Sequence, residues 1–190
     1  KLPAPHPRVC KLIQQIPNDP SVISSIISST DPHIDWVALH LVSTIQDHPK
    51  LLDHVLTALL GSTQFTKIVI QAAIFESIQL ITSPQFTTLE GSFARRRLSI
   101  LGKLLGQLTL ANNKMIPGRY LDLKQLLLFA FSQGKLLGVV PFVAEILCVA
   151  SPYFNPPNPY MSGLLQVLAS IGLTDLLKLS IKNDVFRVLH

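Results

Sequence analysis

His6 and Cys10 have the residue types and the spacing that a nucleophile and its general base would need. Side chains four residues apart meet on one face of a helix, where a histidine can activate a thiol. Catalysis would also need a group that orients the histidine and a site that stabilises an oxyanion. The pair lies instead beside Pro5 and Pro7 at the first residues of the chain, where helices fray. An enzyme that uses Cys10 is therefore our least favoured hypothesis.

Four further histidines in the first third of the chain are potential metal ligands: His33, His40, His48 and His54. Their spacing matches neither the HExxH motif nor a Cys/His zinc knuckle. The Gly-Lys pairs at 102–103 and 134–135 lack the upstream glycine and the following Ser or Thr of a phosphate-binding loop. We therefore predict no enzyme activity, no metal ion and no cofactor.

The composition is that of a folded domain with few charges. Hydrophobic residues make up 48% of the 190 residues and charged residues 14%, against roughly 25% charged residues in an average soluble domain. A chain this apolar buries enough surface to offset its ordering entropy, so disorder is excluded over most of its length. We predict a single domain over residues 1–190, part of whose surface is covered by a partner.

The sequence also bears on the cellular compartment. The apolar segment 136–150 has 15 residues and contains Pro141 and Glu145, whereas a spanning helix needs about 20 apolar residues; we predict no membrane association. Cys10 and Cys148 are the only cysteines, which is typical of a reducing compartment, so we predict a cytoplasmic location with the nucleus as a second one. The sequence begins at Lys1 without a signal segment, and we expect a fragment of a longer protein.

The hydrophobic pattern is helical along the chain. Asp or Asn precedes proline at 19–20, 31–32 and 158–159, and such pairs predict helix starts because Asx side chains cap helices and proline suits the first helical position. Asp122 before Leu123, and either Ser62 or Thr63 before Phe65, are further predicted caps, and behind the caps apolar residues recur at spacings of three and four. The predicted helices cover residues 6–16, 20–29, 32–46, 49–60, 63–82, 92–111, 122–133, 137–150, 158–171 and 174–189.

Helix number and length predict the fold. We expect an all-α, HEAT-like stack of about five antiparallel helix pairs, at roughly 35–45 residues a pair, with a globular helical bundle as the alternative. Gly102 and Gly106 lie on one helix face and predict close packing of a neighbouring helix. The continuous apolar run 126–131 indicates a helix that is packed on both sides or covered by a partner.

Charge is distributed unevenly, with a net charge of −2 over residues 1–90 and +7 over residues 91–190. Arg95, Arg96 and Arg97 open a predicted helix, where the positive end of the helix dipole disfavours cations. An acidic partner or RNA phosphates would relieve this repulsion, and a solvated cluster is the alternative. Only Phe93 interleaves with the arginines, so we expect weak or indirect RNA contact rather than base stacking.

A proline-rich segment supplies the candidate residues for binding a protein partner: Phe154, Pro156, Pro157, Asn158, Pro159 and Tyr160. One interpretation is a rigid connector that ends where Asn158 caps the next helix. The other is a rigid rim that presents Tyr160 and Phe154 as aromatic anchors. The sequence favours neither over the other.

Several segments together resemble a known family. The segments LDLKQLLL at 121–128, VVPFVA at 139–144 and PPNP at 156–159 follow LGKLLG at 101–106 and LTLANNK at 108–114. In this order and spacing they are similar to the middle region of the large Not scaffold subunit of the Ccr–Not mRNA deadenylase complex.

This resemblance implies the HEAT-like fold of the middle domain of initiation factor four-G and a non-enzymatic platform. The implied partners are a Caf/Pop-type deadenylase of the DEDD exonuclease class, a DEAD-box helicase that promotes decapping, and other Ccr–Not subunits. The implied role is support of mRNA deadenylation, mRNA decay and translational repression. The sequence departs from the family in placing Tyr160 where tryptophan is usual. The alternative function is a basic helical-repeat module that binds RNA directly.

Overall fold

The computed structural model describes residues 7–28, 34–88, 91–150, 158–174 and 177–189. These residues form helices and turns without a β-strand, which confirms the prediction of an all-α fold. Short 3-10 helices lie at Pro49–Leu51, Pro84–Thr87 and Leu110–Asn112. The α-helices are α1 Pro7–Gln15, α2 Val22–Ser28, α3 Ile34–Asp47, α4 Leu52–Leu59, α5 Thr63–Thr82, α6 Ser92–Leu108, α7 Leu123–Ser132, α8 Leu136–Leu147, α9 Pro159–Gly172 and α10 Leu179–Leu189.

Side-chain caps fix the starts of several helices as predicted. The Asp122 carboxylate accepts from the backbone N–H groups of the second and third residues of α7 at 2.9 and 3.2 Å. The Asn158 side chain does the same for α9 at 3.0 and 3.4 Å, with Pro159 as the first helical residue. The Ser62 hydroxyl accepts from the N–H of Phe65 in the first turn of α5. These contacts satisfy donors that have no partner inside the helix.

Other boundaries differ from the prediction. Asp19 accepts from the N–H and hydroxyl of Ser21, and this local turn delays the start of α2 to Val22. The predicted helix 92–111 ends at Leu108, because Thr109 leaves the helical conformation (φ −118°, ψ −85°) and a 3-10 helix follows. The predicted cap pair 31–32 lies outside the described residues.

The chain divides into two compact units, Lys1–Glu76 and Ser77–His190. In the first unit the buried side chains come mainly from α1 to α5 and include Ile16, Ile23, Val42 and Val55. In the second unit α8 is the central element: eight of its twelve residues are buried, and it contacts α6, α7 and α10. The single domain over 1–190 and the HEAT-like stacking stay predictions.

α6 and α8 approach each other to backbone contact. A β-carbon at Gly102 would lie 2.5 Å from the backbone oxygen of Phe142, and one at Gly106 would lie 2.7 Å from that of Ile146. Real β-carbons do not approach backbone oxygens this closely, so only glycine fits at both positions. The prediction that this glycine pair packs against a neighbouring helix is confirmed.

Among the described helices, α5 is long and apolar enough to cross a membrane, judged by length and composition alone. Its side chains at Phe65, Val69, Ala73 and Ile81 are nevertheless buried within the protein. A core helix of a folded domain has this same apolar character. Only 39% of the apolar window of α5 is buried, and Phe75 and Ile78 are exposed, so α5 packs into the protein with part of its surface. The absence of membrane association stays a prediction.

Gln46, near the end of α3, places an amide in the core of the first unit. Its side chain is 4% exposed, and neither its amide nitrogen nor its amide oxygen has a hydrogen-bond partner among the described residues. A buried polar group without a partner costs about 1–3 kcal/mol, whereas an apolar group of similar shape does not. We expect Gln46→Met to raise the free energy of unfolding by about 1 kcal/mol, as measured by urea denaturation.

Gln64→Met, on the exposed surface of α5, is the control for this substitution. It makes the same chemical change without altering a buried amide, so its effect should stay within about 0.5 kcal/mol. A loss of stability in Gln46→Met would show that the amide is hydrogen-bonded after all.

Candidate functional site

α7 presents an apolar surface on the side that faces away from the core. Leu127 and Ala130 are buried, whereas Leu128, Phe129 and Phe131 each expose close to half of their side-chain surface. A surface helix normally places polar residues on its outer side. The apolar run 126–131 is therefore not packed on both sides by described residues. The other interpretation, a partner that covers its outer side, is favoured.

An apolar groove lies between α7 and α9, with a volume of about 470 Å³. α7 contributes one wall and α9 the other, through Lys124, Leu128, Phe131, Gly163, Gln166 and Val167. We call this feature the α7–α9 groove. Pockets of this kind, apolar with a few polar groups, are typical binding sites for the side chains of another protein.

The first turns of α7 and α9 lie side by side at one end of the groove. Lys124 is the second residue of α7, and its Nζ atom lies 3.8 Å from the position of a β-carbon on Gly163. Tyr160, the second residue of α9, reaches the backbone of Leu123 at the start of α7. The two capping residues, Asp122 and Asn158, fix where α7 and α9 begin. They therefore also determine the position of this end of the groove.

Tyr160 is half-buried against the first turn of α7. Burial raises the pKa of its hydroxyl, the Leu123 backbone hydrogen bond opposes this rise, and the Asp122 carboxylate adds to it. The net direction is upward, so the phenol stays protonated at neutral pH. Of the predicted partner-binding residues, Asn158 and Pro159 thus position the Tyr160 ring, whereas Phe154, Pro156 and Pro157 lie outside the described residues.

The three consecutive arginines do not form one basic surface. The Arg95 guanidinium donates to the backbone oxygens of Phe86 at 2.7 Å and Thr88 at 3.0 Å, and thereby holds the 3-10 helix Pro84–Thr87. The Arg97 guanidinium lies over the Phe93 ring at 5.2 Å, and Arg96 is exposed. The structure thus gives Arg95 an internal role, and contact of the arginines with an acidic partner or RNA stays a prediction.

Two further basic residues of the positively charged half make contacts within the protein. Lys135 donates to the backbone oxygen of Ile81 at 2.7 Å, close to the last turn of α5. Arg187 on α10 forms an ion pair with Glu145 on α8 at 2.9 Å. Some of the basic residues that contribute to the net charge of +7 over residues 91–190 therefore make contacts within the fold. These residues do not add to a continuous basic surface for nucleic acid.

The candidate metal-ligating and nucleophilic residues do not cluster in the described part of the chain. The described part of the chain contains no cluster of three or more His, Cys, Asp or Glu side chains that fits a metal ion. The His40 ring packs on Trp36 with a centroid distance of 4.1 Å. Cys10 is partly buried in α1, and its predicted neighbour His6 lies outside the described residues.

Comparison with known proteins gives one family over most of the chain. The model of the CCR4-NOT transcription complex subunit 1 CAF1-binding domain matches residues 20–189. The matched range contains the α7–α9 groove, the arginine cluster and the described part of the proline-rich segment.

Three of the curated proteins with this similarity come from a nematode and two yeasts. The chain is 31% identical over 174 residues to the CCR4-NOT transcription complex subunit let-711 of Caenorhabditis elegans, which covers 86% of this chain and 6% of that protein. It is 29% identical over 164 residues to general negative regulator of transcription subunit 1 of Saccharomyces cerevisiae (83% and 8%). It is 32% identical over 133 residues to the protein of that name from Schizosaccharomyces pombe (69% and 6%). The chain thus spans less than a tenth of the length of these relatives.

Proposed function

Because this chain belongs to the family of CCR4-NOT transcription complex subunit 1 CAF1-binding domains, we propose that it docks a CAF1-type deadenylase on its α7–α9 groove. Membership in the family confirms the prediction, made from the sequence resemblance, that the chain is a region of the large Not scaffold subunit. It also confirms the prediction of a scaffold region rather than an enzyme. The identity of the docked partner and the surface that it uses are our proposal.

The observation that carries the proposal is the exposed apolar side of α7 beside an open groove. Leu128 and Phe131 line that groove and are about half exposed. Aromatic and aliphatic residues of this kind, placed at a pocket, supply most of the binding energy of a protein interface. Only 14% of the residues in the chain are charged, so few charged side chains are available to interact with water when no partner covers this apolar surface.

The mechanism that we propose is proximity. A scaffold that holds a nuclease and other subunits on one assembly raises their effective concentration near the same transcript. Hydrolysis of the poly(A) tail would then take place in the active site of the bound deadenylase. The scaffold contributes position and pre-formed shape, without a reacting group of its own.

Calorimetric titration of this chain with a purified CAF1-type deadenylase tests the proposal. We expect saturable, one-to-one binding and a complex that co-elutes in size-exclusion chromatography. The absence of both heat and co-elution at micromolar concentrations would refute it.

Substitutions of Tyr160 test whether this residue, at the edge of the groove, stabilises the fold, binds the partner or does both. Its side chain is partly buried and its hydroxyl hydrogen-bonds with the backbone of Leu123 at the start of α7, so Tyr160→Ala should lower the melting temperature. If the ring is also an interface anchor, the same change should weaken deadenylase binding by about 1–3 kcal/mol. Tyr160→Phe keeps the ring and serves as the control, since it should retain most of the affinity. Unchanged affinity in Tyr160→Ala with a lowered melting temperature would leave Tyr160 a structural residue only.

The remaining predicted partners stay proposals. They are a DEAD-box helicase, other Ccr–Not subunits and RNA, together with a cytoplasmic and nuclear location and a role in translational repression. Direct RNA binding is the second candidate function, and the net charge of +7 over residues 91–190 favours it. The internal contacts of Arg95, Lys135 and Arg187 weaken it.

A further inference from the structure

Gly163 lies inside α9, where glycine is unfavourable and where the fold does not require it. Glycine in a helix interior is less stable than alanine by about 0.5–1 kcal/mol. A β-carbon on Gly163 would meet only the Lys124 Nζ atom, at an ordinary contact distance of 3.8 Å. Gly102 and Gly106 differ from it, because neighbouring backbone fills the space above them. The missing side chain at Gly163 therefore leaves open space within the groove.

Lys124 places a positive charge at the same end of the groove. Its side chain is exposed, and no carboxylate among the described residues forms an ion pair with it. Lys124 lies in the first turn of α7 beside the first turn of α9, where both helix dipoles add positive potential. The nearby Asp122 carboxylate caps α7, and its negative charge cancels part of this positive potential, so the attraction for an anion at this end comes from the Lys124 ammonium. An incoming carboxylate would thus meet a complementary charge at this end.

We infer that the segment that enters the α7–α9 groove carries a carboxylate beside an apolar side chain. The carboxylate pairs with Lys124, and the apolar side chain lies over Gly163 between Leu128 and Val167. This inference rests on the proposed function, because it describes the chemistry of the deadenylase segment that docks there. The two features act differently: the charge pair at the rim orients the partner and speeds its association, and the apolar contact provides most of the affinity.

Two substitutions separate these contributions, and each has a matched control. Gly163→Leu places a side chain in the open space, where its β-carbon would meet only the Lys124 Nζ atom at 3.8 Å, and Gly61→Leu is the control because its β-carbon would likewise meet one atom at 3.8 Å. Lys124→Met removes the charge and keeps the aliphatic stem, and Lys103→Met does the same on the exposed side of α6. The readouts are the Kd for the purified deadenylase at low and high salt and the melting temperature of each variant.

We expect Gly163→Leu to raise the Kd by about 30-fold or more, which is the threshold of an interface hot spot, with no loss of melting temperature. Lys124→Met should raise the Kd by about 3- to 10-fold at low salt and flatten its salt dependence, because exposed charge pairs are screened. Both controls should bind like the wild type. Gly163→Ala is a milder variant for the case in which leucine perturbs α9, and it should also weaken binding while raising the melting temperature.

The possible outcomes distinguish this inference from the proposed function. If the wild type binds the deadenylase and the Lys124 and Gly163 variants bind equally well, the inference is overturned while the proposed function stands. If Lys124→Met binds more tightly, the entering segment is basic or neutral and the inference is again wrong. If the chain forms a concentration-dependent dimer that Gly163→Leu abolishes, a second copy of the chain occupies the groove and the inference is overturned. If the wild type does not bind the deadenylase at all, the proposed function itself fails.

Discussion

A single methyl group added at Gly102 is expected to lower the free energy of unfolding by about 2–3 kcal/mol. The new β-carbon would lie 2.5 Å from the backbone oxygen of Phe142 and 3.2 Å from the β-carbon of Glu145. A backbone oxygen cannot move aside as a side chain can, so α6 and α8 would have to separate. Separation would loosen the packing of Leu101 and Leu105, which are fully buried in α6. This loss outweighs the gain of about 1 kcal/mol that alanine brings to a helix.

Gly163→Ala is the matched control, because it makes the same substitution in a helix of the same unit without a close contact. It should stabilise the chain by about 0.5–1 kcal/mol. Urea denaturation followed by circular dichroism gives both values. Equal stabilisation by the two substitutions would show that the close approach of α6 and α8 does not constrain the fold.

Phe131→Asp is expected to weaken deadenylase binding by about 2–4 kcal/mol. Phe131 is 52% exposed in the free chain and lines the α7–α9 groove. In the complex, an aspartate at this position would be a desolvated charge on an apolar surface and would also remove an aromatic contact. In the free chain the same carboxylate remains in water, so the melting temperature should change much less than the affinity.

Phe186→Asp provides the control for this substitution. Phe186 is 50% exposed, lies in the last turns of α10 and does not line the groove. Calorimetric titration should show wild-type affinity for Phe186→Asp and a large loss for Phe131→Asp. Equal affinities would place the deadenylase on another surface of the chain.

The local signals in the sequence predicted the helices well, and the exceptions have local causes. Asp122 and Asn158 cap α7 and α9 because an Asx side chain acts on backbone within three residues of it, which the sequence displays directly. Thr109 ends α6 by adopting a non-helical conformation within a continuous apolar pattern. Periodicity alone does not reveal such a break, since the buried residues on both sides of it keep a helical spacing.

The groove was harder to predict because its walls come from two helices separated in sequence. The apolar run 126–131 indicated a covered surface, but it did not indicate Gly163 and Val167 as the opposite wall. A glycine inside an otherwise regular helical pattern was the available signal for this wall. The internal role of Arg95 was likewise hidden, because its acceptors are backbone oxygens of a 3-10 helix.

The central position of α8 links distant parts of the second unit. Since α8 contacts α6, α7 and α10, loss of any one neighbour exposes apolar surface on the same helix, and the unit is expected to unfold cooperatively. A deadenylase bound to α7 and α9 would then stabilise the whole unit, by about 2.7 kcal/mol at a hundred-fold excess over its Kd. Cellular proteases act on the unfolded fraction. If the proposed function holds, copies of this chain without a bound deadenylase would therefore be degraded faster than occupied ones.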